Sequence, residues 1–587
     1  MKKLFKEFTK KDMMMIVISI LLIVFQVWLD LKLPDYMSEI TRLIQLENSK
    51  LQDILLQGGY MLLCALGSLL SAFIVGYLSS QVAANFSLNV RKKLFHKVES
   101  FGMEEMKKFS TSSLITRTTN DVSQVEMLIS MGLQLLIKAP IMAFWAISKI
   151  LGKNMTWSVI TFAGVFILLA TVITLMIIVL PRFKVVQQLI DRLNGVTREN
   201  LTGIRVIRAF NAEAYQENRF EQVNTDLTNM QLFNQHCFAV LNPVMNLVSS
   251  FLTLGIYFLG AFMIQQANML DKINLFSDMI VFTSYGMQVI MAFLMLAMIF
   301  MMWPRSEVSA ARINEVLDSP VAIVDGNNDG STITEVGTVE FQHVSFKYPD
   351  ADEYLLKDIS FQAKKGQTIA FIGSTGSGKS TLINLVPRFY DATEGRVLVD
   401  GIDVKNYQQE ALHNRIGYVP QKAVMFTGDV TSNVSYGDKN GKEITAKKIK
   451  EAILIAQAED FVSKMDNTYH AHIARGGTNV SGGQKQRLAI ARAIARDPEI
   501  YIFDDSFSAL DYQTDAILRK ELKQYTKDAT SLIVAQRIGT IMQADQIIVL
   551  DKGCVVGKGT HQELLKNCEV YKEIALSQLS KEELENA

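Results

Sequence analysis

The sequence predicts an α-helical membrane domain of six transmembrane helices fused to an α/β domain built around a phosphate-binding loop. Three observations carry this expectation. Six long apolar segments lie before Trp303. A glycine-rich run, Phe371-Ile-Gly-Ser-Thr-Gly-Ser-Gly-Lys-Ser380, follows an apolar strand-like stretch and opens a helical pattern. Short β-rich runs then alternate with helical segments through the C-terminal half.

The chain of 587 residues exceeds one domain at about 150 residues per domain. Its 59 basic and 59 acidic side chains balance, which gives no case for nucleic acid as the principal partner. Cys64, Cys237, Cys554 and Cys568 show no metal-ligand spacing and are expected to be free thiols. Lys2, Lys3, Lys6, Lys10 and Lys11 precede an apolar stretch too long for a leader's core, with no small-residue cleavage site after it. It is expected to remain as a membrane helix.

The spans are placed near Met13–Leu33, Ile54–Val82, Met127–Leu151, Trp157–Pro181, Phe238–Ile264 and Met279–Trp303, each long enough for about 30 Å of hydrocarbon. Basic residues sort by side. They crowd the N-terminus, the second-to-third connection (Arg91 to Arg117) and the fourth-to-fifth connection (Arg182 to Arg219), whereas the stretches 35–53, Gly152–Thr156 and Gln265–Asp278 are short or mixed. The positive-inside rule therefore puts both termini and the C-terminal domain in the cytoplasm of a cell-membrane protein. Apolar residues at helical spacing, such as Leu88, Val90, Leu94 and Val98, continue the spans into the cytosol. Short crosswise helices are expected at the tips, near Ser110–Arg117 and Asn211–Asn218.

Charges inside spans are costly and call for partners. Asp30 and Asp35 fall near the outer end of the first span, and Lys138 lies deeper in the third, beside Pro140. Lys138 has two readings, lining a pathway or reaching an interface. Tyr257, Phe258, Phe262, Phe282, Tyr285 and Met287 in the last two spans suit adaptable apolar ligands, and equally suit packing against lipid or other helices.

The domain boundaries are expected at 1–317 for the membrane domain, 318–337 for a polar linker and 338–587 for the α/β domain. In the phosphate loop, Gly373, Gly376 and Gly378 let the backbone turn its N–H groups toward phosphate oxygens. The nucleotide-binding run comprises these glycines with Ser374, Thr375, Ser377, Lys379, Ser380 and Thr381. Lys379 supplies charge near the β- and γ-phosphates, Ser380 offers a hydroxyl to Mg²⁺, and a nucleoside triphosphate with Mg²⁺ is the expected pair.

The order of the remaining motifs resembles that of ATP-binding cassette (ABC) transporters over essentially the whole chain. Val480-Ser-Gly-Gly-Gln484 resembles the signature loop, Ile500-Tyr-Ile-Phe-Asp-Asp505 the magnesium-binding strand end, and Ser508-Ala-Leu-Asp511 the D-loop. Arg117-Thr-Thr-Asn-Asp121 and Gly203-Ile-Arg-Val-Ile-Arg-Ala-Phe210 resemble connections of exporters whose membrane domain precedes the cassette. The resemblance implies that Tyr348 stacks on adenine, that Gln421 reaches Mg²⁺ and the γ-phosphate, and that Asp504 binds Mg²⁺ with Ser380. It implies that Ser481, Gly482, Gly483 and Gln484 close over the ATP of a second cassette, so that each site needs two cassettes.

Two positions depart from the family pattern. Asp505 stands where the catalytic base is usually glutamate, and Gln536 where the switch residue is usually histidine. The shorter carboxylate holds an attacking water poorly, and an amide carries no proton; losing positioned acid–base help costs about 10²–10⁴ in rate. Arg475 stands where many relatives have glutamate, and this difference has no account. The pattern resembles the degenerate subunit of bacterial heterodimeric multidrug exporters. The implied partner is a second half-transporter with intact glutamate and histidine, and the implied substrates are amphipathic small molecules. A lipid or lipopeptide exporter and an ATP-gated sensor or resistance module are the alternatives.

Overall fold

A computed structural model describes residues 1–587 apart from 2, 47–48, 152–154, 332, 334, 438–442 and 580–587. Lys2 and most of the Gly152–Thr156 connection therefore lie outside the described residues. The chain divides into two compact units, Met1–Glu99 with Thr111–Ser319, and Ser100–Ser110 with Pro320–Ala587.

The first unit is helical: α1 (Lys10–Gln45) and α2 (Leu51–Glu99) precede a short helix of the other unit, α3 (Met103–Phe109). Next come α4 (Thr111–Thr116), α5 (Val122–Leu151), α6 (Met155–Thr202), α7 (Ile204–Ala209), α8 (Glu213–Ala239), α9 (Leu241–Gln266) and α10 (Met269–Asp318). Six helical stretches are long and apolar enough to cross a membrane: Lys10–Gln45, Leu51–Glu99, Thr111–Leu151, Met155–Thr202, Glu213–Gln266 and Asp271–Asp318. The first starts on a reciprocal cap, in which Thr9 Oγ1 accepts from the Asp12 N–H at 3.2 Å and Asp12 Oδ2 accepts from the Thr9 N–H at 2.9 Å. Asn85 on α2 donates to the same carboxylate at 3.0 Å, tying the two helices together.

Inside the unit, α1 packs along α2, and α5 lies against α10. Ile23, Val27, Met142, Trp157, Ile256 and Phe282 belong to one buried apolar cluster. Phe73, Phe144, Phe166 and Phe258 point outward and exposed. This is the arrangement of spans whose surroundings are themselves apolar.

One short helix lies where the sequence placed it but continues into the third span, and the other lies earlier in the chain. The expected crosswise helix at Ser110–Arg117 is instead α4, running through a five-residue π-turn, Arg117–Asp121, into α5. Arg117 holds it by donating to Arg312 O at 2.8 Å and Glu315 at 2.7 Å, while Ser309 Oγ donates to Asp121 at 2.9 Å. The separate short helix is α3, which Glu105 starts by accepting the Gly102 N–H at 2.8 Å. Similarly, the helix expected at Asn211–Asn218 is α7, which begins after Gly203, and Glu213 already opens α8.

The second unit holds two sheets. The antiparallel sheet has the order β2 (Leu356–Ala363), β1 (Val339–Phe346), β4 (Glu394–Val399), β5 (Ile402–Asp403). The larger sheet contains β3 (Thr368–Gly373), β6 (Ile416–Val419), β9 (Ile500–Asp504), β10 (Thr530–Val534), β11 (Gln546–Asp551) and β12 (Cys554–Gly559), in the order β12-β11-β3-β10-β9-β6. Its neighbours pair in parallel except β11 with β12. A two-stranded piece joins β7 (Gly428–Asp429) to β8 (His472–Ile473). Parallel strands buried on both faces read as apolar runs, and Ile369 to Ile372 on β3 are all buried. In the core Phe341 stacks on Phe361 with centroids 4.6 Å apart, and Phe361 meets Phe371 edge-on at 5.3 Å.

Candidate functional site

Strand β3 is central, with β11 and β10 on its two sides, and the loop after it opens the helix α11 (Lys379–Asn384). Ligands of such sheets bind beyond the carboxyl ends of the strands. Gly373 is where the turn most needs glycine: φ is +156°, and a Cβ there would lie 1.9 Å from Leu550 O. Ser374, Thr375 and Gly376 are exposed at the loop's crest and Ser377 is buried beneath. Lys379 Nζ arches over the loop, donating to Gly373 O at 3.0 Å and Ser374 O at 2.7 Å. Burial pushes its ammonium below the ordinary value, with the Asp505 and Asp504 charges acting the other way.

The strand end brings the acidic pair to the loop. Ser380 Oγ donates to Asp504 Oδ1 at 2.8 Å. Asp505 follows with φ +48°, a left-handed conformation that aspartate tolerates better than most, and its N–H donates to Val534 O at 3.0 Å. Its Oδ2 accepts from Gln536 Nε2 at 2.8 Å and from Gln421 Nε2 at 3.3 Å. Burial pushes both carboxyls above their ordinary range. Asp504, Asp505, Gln421, Gln536, Lys379 and Ser380 therefore form one connected cluster.

Tyr348 stands beside it. Its hydroxyl pairs with Thr381 Oγ1 at 2.9 Å, and its ring meets Phe346 and Tyr390 edge-on at 5.1 and 5.3 Å. Lys107 of α3 lies 5.3 Å from the ring centroid and is held there by Asp350 at 2.8 Å. A cavity of about 290 Å³ opens next to the ring, walled by Phe346, Phe389, Tyr390, Met103 and Glu104. Sequence reasoning missed Lys107, whose partner Asp350 lies 243 residues away with no local signal linking them.

The signature residues are elsewhere. Ser481 caps the helix Gly482–Ala495 in a reciprocal box: its Oγ accepts from the Gln484 N–H at 3.3 Å, and Gln484 Oε1 accepts from the Ser481 N–H at 2.8 Å. Ser481 and Gly482 are exposed, and among the described residues the Ser481 and Gln484 side chains bond only within this turn. Asp511 caps the helix Tyr512–Tyr525 through the Thr514 N–H at 2.9 Å. Arg475 sits exposed on a short turn, Arg475–Gly477.

The cluster fits a magnesium-bound triphosphate. The loop's crest at Gly376 is open, with nothing within 4 Å of where a Cβ would stand, and Lys379 Nζ lies over the same loop. Ser380 Oγ and Asp504 Oδ1 are neighbouring hard oxygens, and no group of three or more His, Cys, Asp or Glu suited to a metal occurs among the described residues. Mg²⁺ typically uses one or two carboxylates plus substrate phosphates, so this sparse set suits it.

A six-span membrane unit joined to a two-sheet domain with this loop defines a nucleotide-driven membrane transporter class. The ABC transporter family profile matches residues 356–508, and the ABC transporter transmembrane region matches residues 16–293. An uncharacterized ABC transporter ATP-binding protein of Mycobacterium tuberculosis is 41% identical over 525 residues, covering 89% of this chain and 87% of that one. Another from Bacillus subtilis is 35% identical over 540 residues, covering 91% of each. A Staphylococcus aureus relative, provisionally named a multidrug export ATP-binding/permease protein, is 30% identical over 509 residues and 86% of each chain. A bacterial Atm1-family ABC exporter solved with ATP bound has the same fold, with TM-score 0.82, 23% identity, and coverage of 97% and 98%.

The chain belongs to the ABC transporters. It is a multi-pass membrane protein of ABC-exporter fold, a half-transporter whose cassette binds ATP, with ATP hydrolysis the activity that domain implies.

Proposed function

We propose that this chain is the degenerate half of a heterodimeric exporter of amphipathic small molecules. Its own loop holds Mg-ATP with slow turnover, and its signature turn completes the catalytic site of a partner with intact glutamate and histidine. Residues 1–317 form the membrane domain and 338–587 the cytoplasmic cassette, joined by 318–337.

The observation that carries this reading is the state of Asp505. One carboxylate oxygen is engaged by two neutral amides, at 2.8 and 3.3 Å, in the position where a base must hold water. A base must come within about 2.6–3.2 Å of the proton it takes. Gln536 supplies a hydrogen bond but no mobile proton. Gripping and splitting thus separate: the backbone cradle, Lys379, Ser380 and Asp504 serve binding, while Tyr348 offers its ring to adenine. Bound Mg²⁺ neutralises phosphate charge and orients the terminal group.

The exposed turn at Ser481–Gln484 supports the two-cassette arrangement, because the N-terminal turn of a 14-residue helix favours an anion and among the described residues the Ser481 and Gln484 side chains bond only within that turn. Basic residues gathered at the expected cytosolic connections support placement in the cell membrane with both termini inside. The S. aureus relative's name, which reads multidrug export, supports drugs as substrates.

Inverted vesicles carrying both subunits should accumulate a dye with ATP, and replacing the partner's glutamate by glutamine should abolish it. The chain purified alone should hydrolyse ATP slowly; full exporter-like turnover by a homodimer sinks the proposal.

A further inference from the structure

A slot with wholly apolar walls lies where the fourth, fifth and sixth spans meet. Val179, Leu180 and Phe183 of α6, Phe238 of α8, Leu241 of α9 and Phe300 of α10 are among its walls. Its volume is about 30 Å³, which suits one thin chain laid along it and not a bulky guest. Leu180 and Phe300 are exposed, so the slot opens outward. The fourth span is expected to end at Pro181, the fifth to start at Phe238 and the sixth to end at Trp303. Successive spans alternate in direction, so these three ends share one side of the membrane. The slot therefore sits in the hydrocarbon of a single leaflet, just beneath its head groups.

Two arginines stand at the same ends. Arg305, just past Trp303, is exposed, and its guanidinium lies over the Phe183 ring, a wall of the slot, 5.1 Å from the centroid. Arg182, next to Phe183, lies over the Phe233 ring at 4.3 Å and donates to Ile178 O at 2.5 Å. Among the described residues neither arginine has an acidic partner, and Arg305 makes no hydrogen bond. The lysines inside the spans differ: Lys138 pairs with Asp30 at 3.1 Å and Lys149 with Asp35 at 2.9 Å. A guanidinium carries five N–H donors in its plane, and a ring against its face leaves those edges for an oxyanion.

We propose that this slot seats one acyl chain of an anionic phospholipid of the cytosolic leaflet, with Arg305 and Arg182 meeting its phosphate. Basic residues between spans on the cytoplasmic side attract anionic head groups. The methylenes nearest the head lie against Phe183, Phe238 and Phe300, and the rest of the chain stays in the bilayer. A lipid without net charge fills the slot equally well but brings a cation of its own toward the arginines. The site depends on the membrane placement proposed above, and neither on the partner subunit nor on the exported molecule.

The test adds dioleoyl phosphatidylglycerol or dioleoyl phosphatidylcholine to the full-length chain in detergent and counts bound lipid by native mass spectrometry. The tails are identical, so only head-group charge differs. One phosphatidylglycerol per copy of the chain should be held at least about tenfold more tightly than phosphatidylcholine, as two basic residues at a lipid surface dictate. Arg305→Gln should weaken it about fivefold, and Arg182→Gln with Arg305→Gln should abolish the preference. Arg305→Lys keeps the charge and should stay within about threefold. Lys10→Gln with Lys11→Gln removes charge elsewhere on the expected cytosolic side and should leave the preference unchanged. Equal binding of the two lipids by the unaltered chain, or a preference that survives loss of both arginines, overturns the proposal. So does displacement of the lipid by inorganic phosphate, which marks an ion site with no use for the slot. Micelles have no sides, so these outcomes are independent of how the chain is inserted. In intact cells, labelling of Arg305→Cys beyond the unaltered chain by an impermeant maleimide rejects the cytosolic placement instead.

Discussion

Restoring the base and the switch, Asp505→Glu with Gln536→His, should turn a holding site into a hydrolytic one. Asp505 retracts the carboxylate by one C–C bond relative to glutamate, about 1.5 Å. The useful hydrogen-bond window is only about 0.6 Å wide, so this retraction takes a water out of reach. Gln536 Nε2, 2.8 Å away, further engages the carboxylate oxygen. A longer carboxylate moves forward past the amides, and an imidazole adds a group able to hold a proton. Positioned acid–base help is worth about 10²–10⁴ in rate, a barrier change of about 3–5 kcal/mol. The measurement is steady-state ATP hydrolysis by the full heterodimer whose partner glutamate has been replaced by glutamine. Nucleotide occupancy is measured in the same preparation. A gain below threefold with full occupancy would refute the reasoning, since the site would then be limited by something other than these two side chains.

Lys379→Ala should weaken ATP binding at this chain's own loop, because it removes the charge that bridges Gly373 O and Ser374 O; unchanged occupancy of that site by a photoreactive ATP analogue would count against the loop's role. Acidification should loosen the C-terminal helices. His561 is buried with Nδ1 at 2.7 Å from Tyr571 Oη and, among the described residues, with Nε2 without a partner, and burial lowers its folded-state pKa. The unfolded chain therefore takes the proton first. The stability this group contributes is present above about pH 6.5 and is lost as pH falls, by at most about 1.4 kcal/mol per pH unit. A melting temperature of the cassette transition that His561→Asn leaves with the same slope from about pH 7.5 to 5.5 would exclude His561 as the source.

The parts legible in the sequence are those whose physics is local. The loop at 373–380 is a backbone device, so its glycines and lysine announce it, and the structure places it between a buried strand and a helix. The spans show because about 20 apolar residues leave few alternatives. The extent of the short helices was not legible, because their boundaries depend on distant groups. Arg117 holds the π-turn through Arg312 and Glu315 in α10, so the segment continues the third span. The start of α3 was legible in principle, since Glu105 three residues after Gly102 is a capping pattern. Lys138 was identifiable as a charge in a span, but its partner was not: nothing local in α1 says that Asp30 faces α5.

Binding and turnover make separable physical demands, and under the proposed reading that separation gives a slowly hydrolysing site, beside a partner that cycles, a use. A ligand favouring one conformation shifts the equilibrium by its differential affinity for the two states, whether or not it is later consumed. At 100 times its dissociation constant, a ligand that binds only one state contributes about 2.7 kcal/mol toward that state. A site that splits its ATP promptly surrenders this bias every cycle; one that keeps it holds the cassettes predisposed to close while the partner's site cycles. Retention requires the cradle, Lys379, Ser380 and Asp504, all of which are in place. It requires a base that does not reach the water, and the proposed reading gives that part to Asp505, whose carboxylate oxygen is held by Gln421 and Gln536. Under the exporter reading, a chain with a strong grip and a poor blade is better suited to setting the resting conformation of a transporter than to driving its stroke.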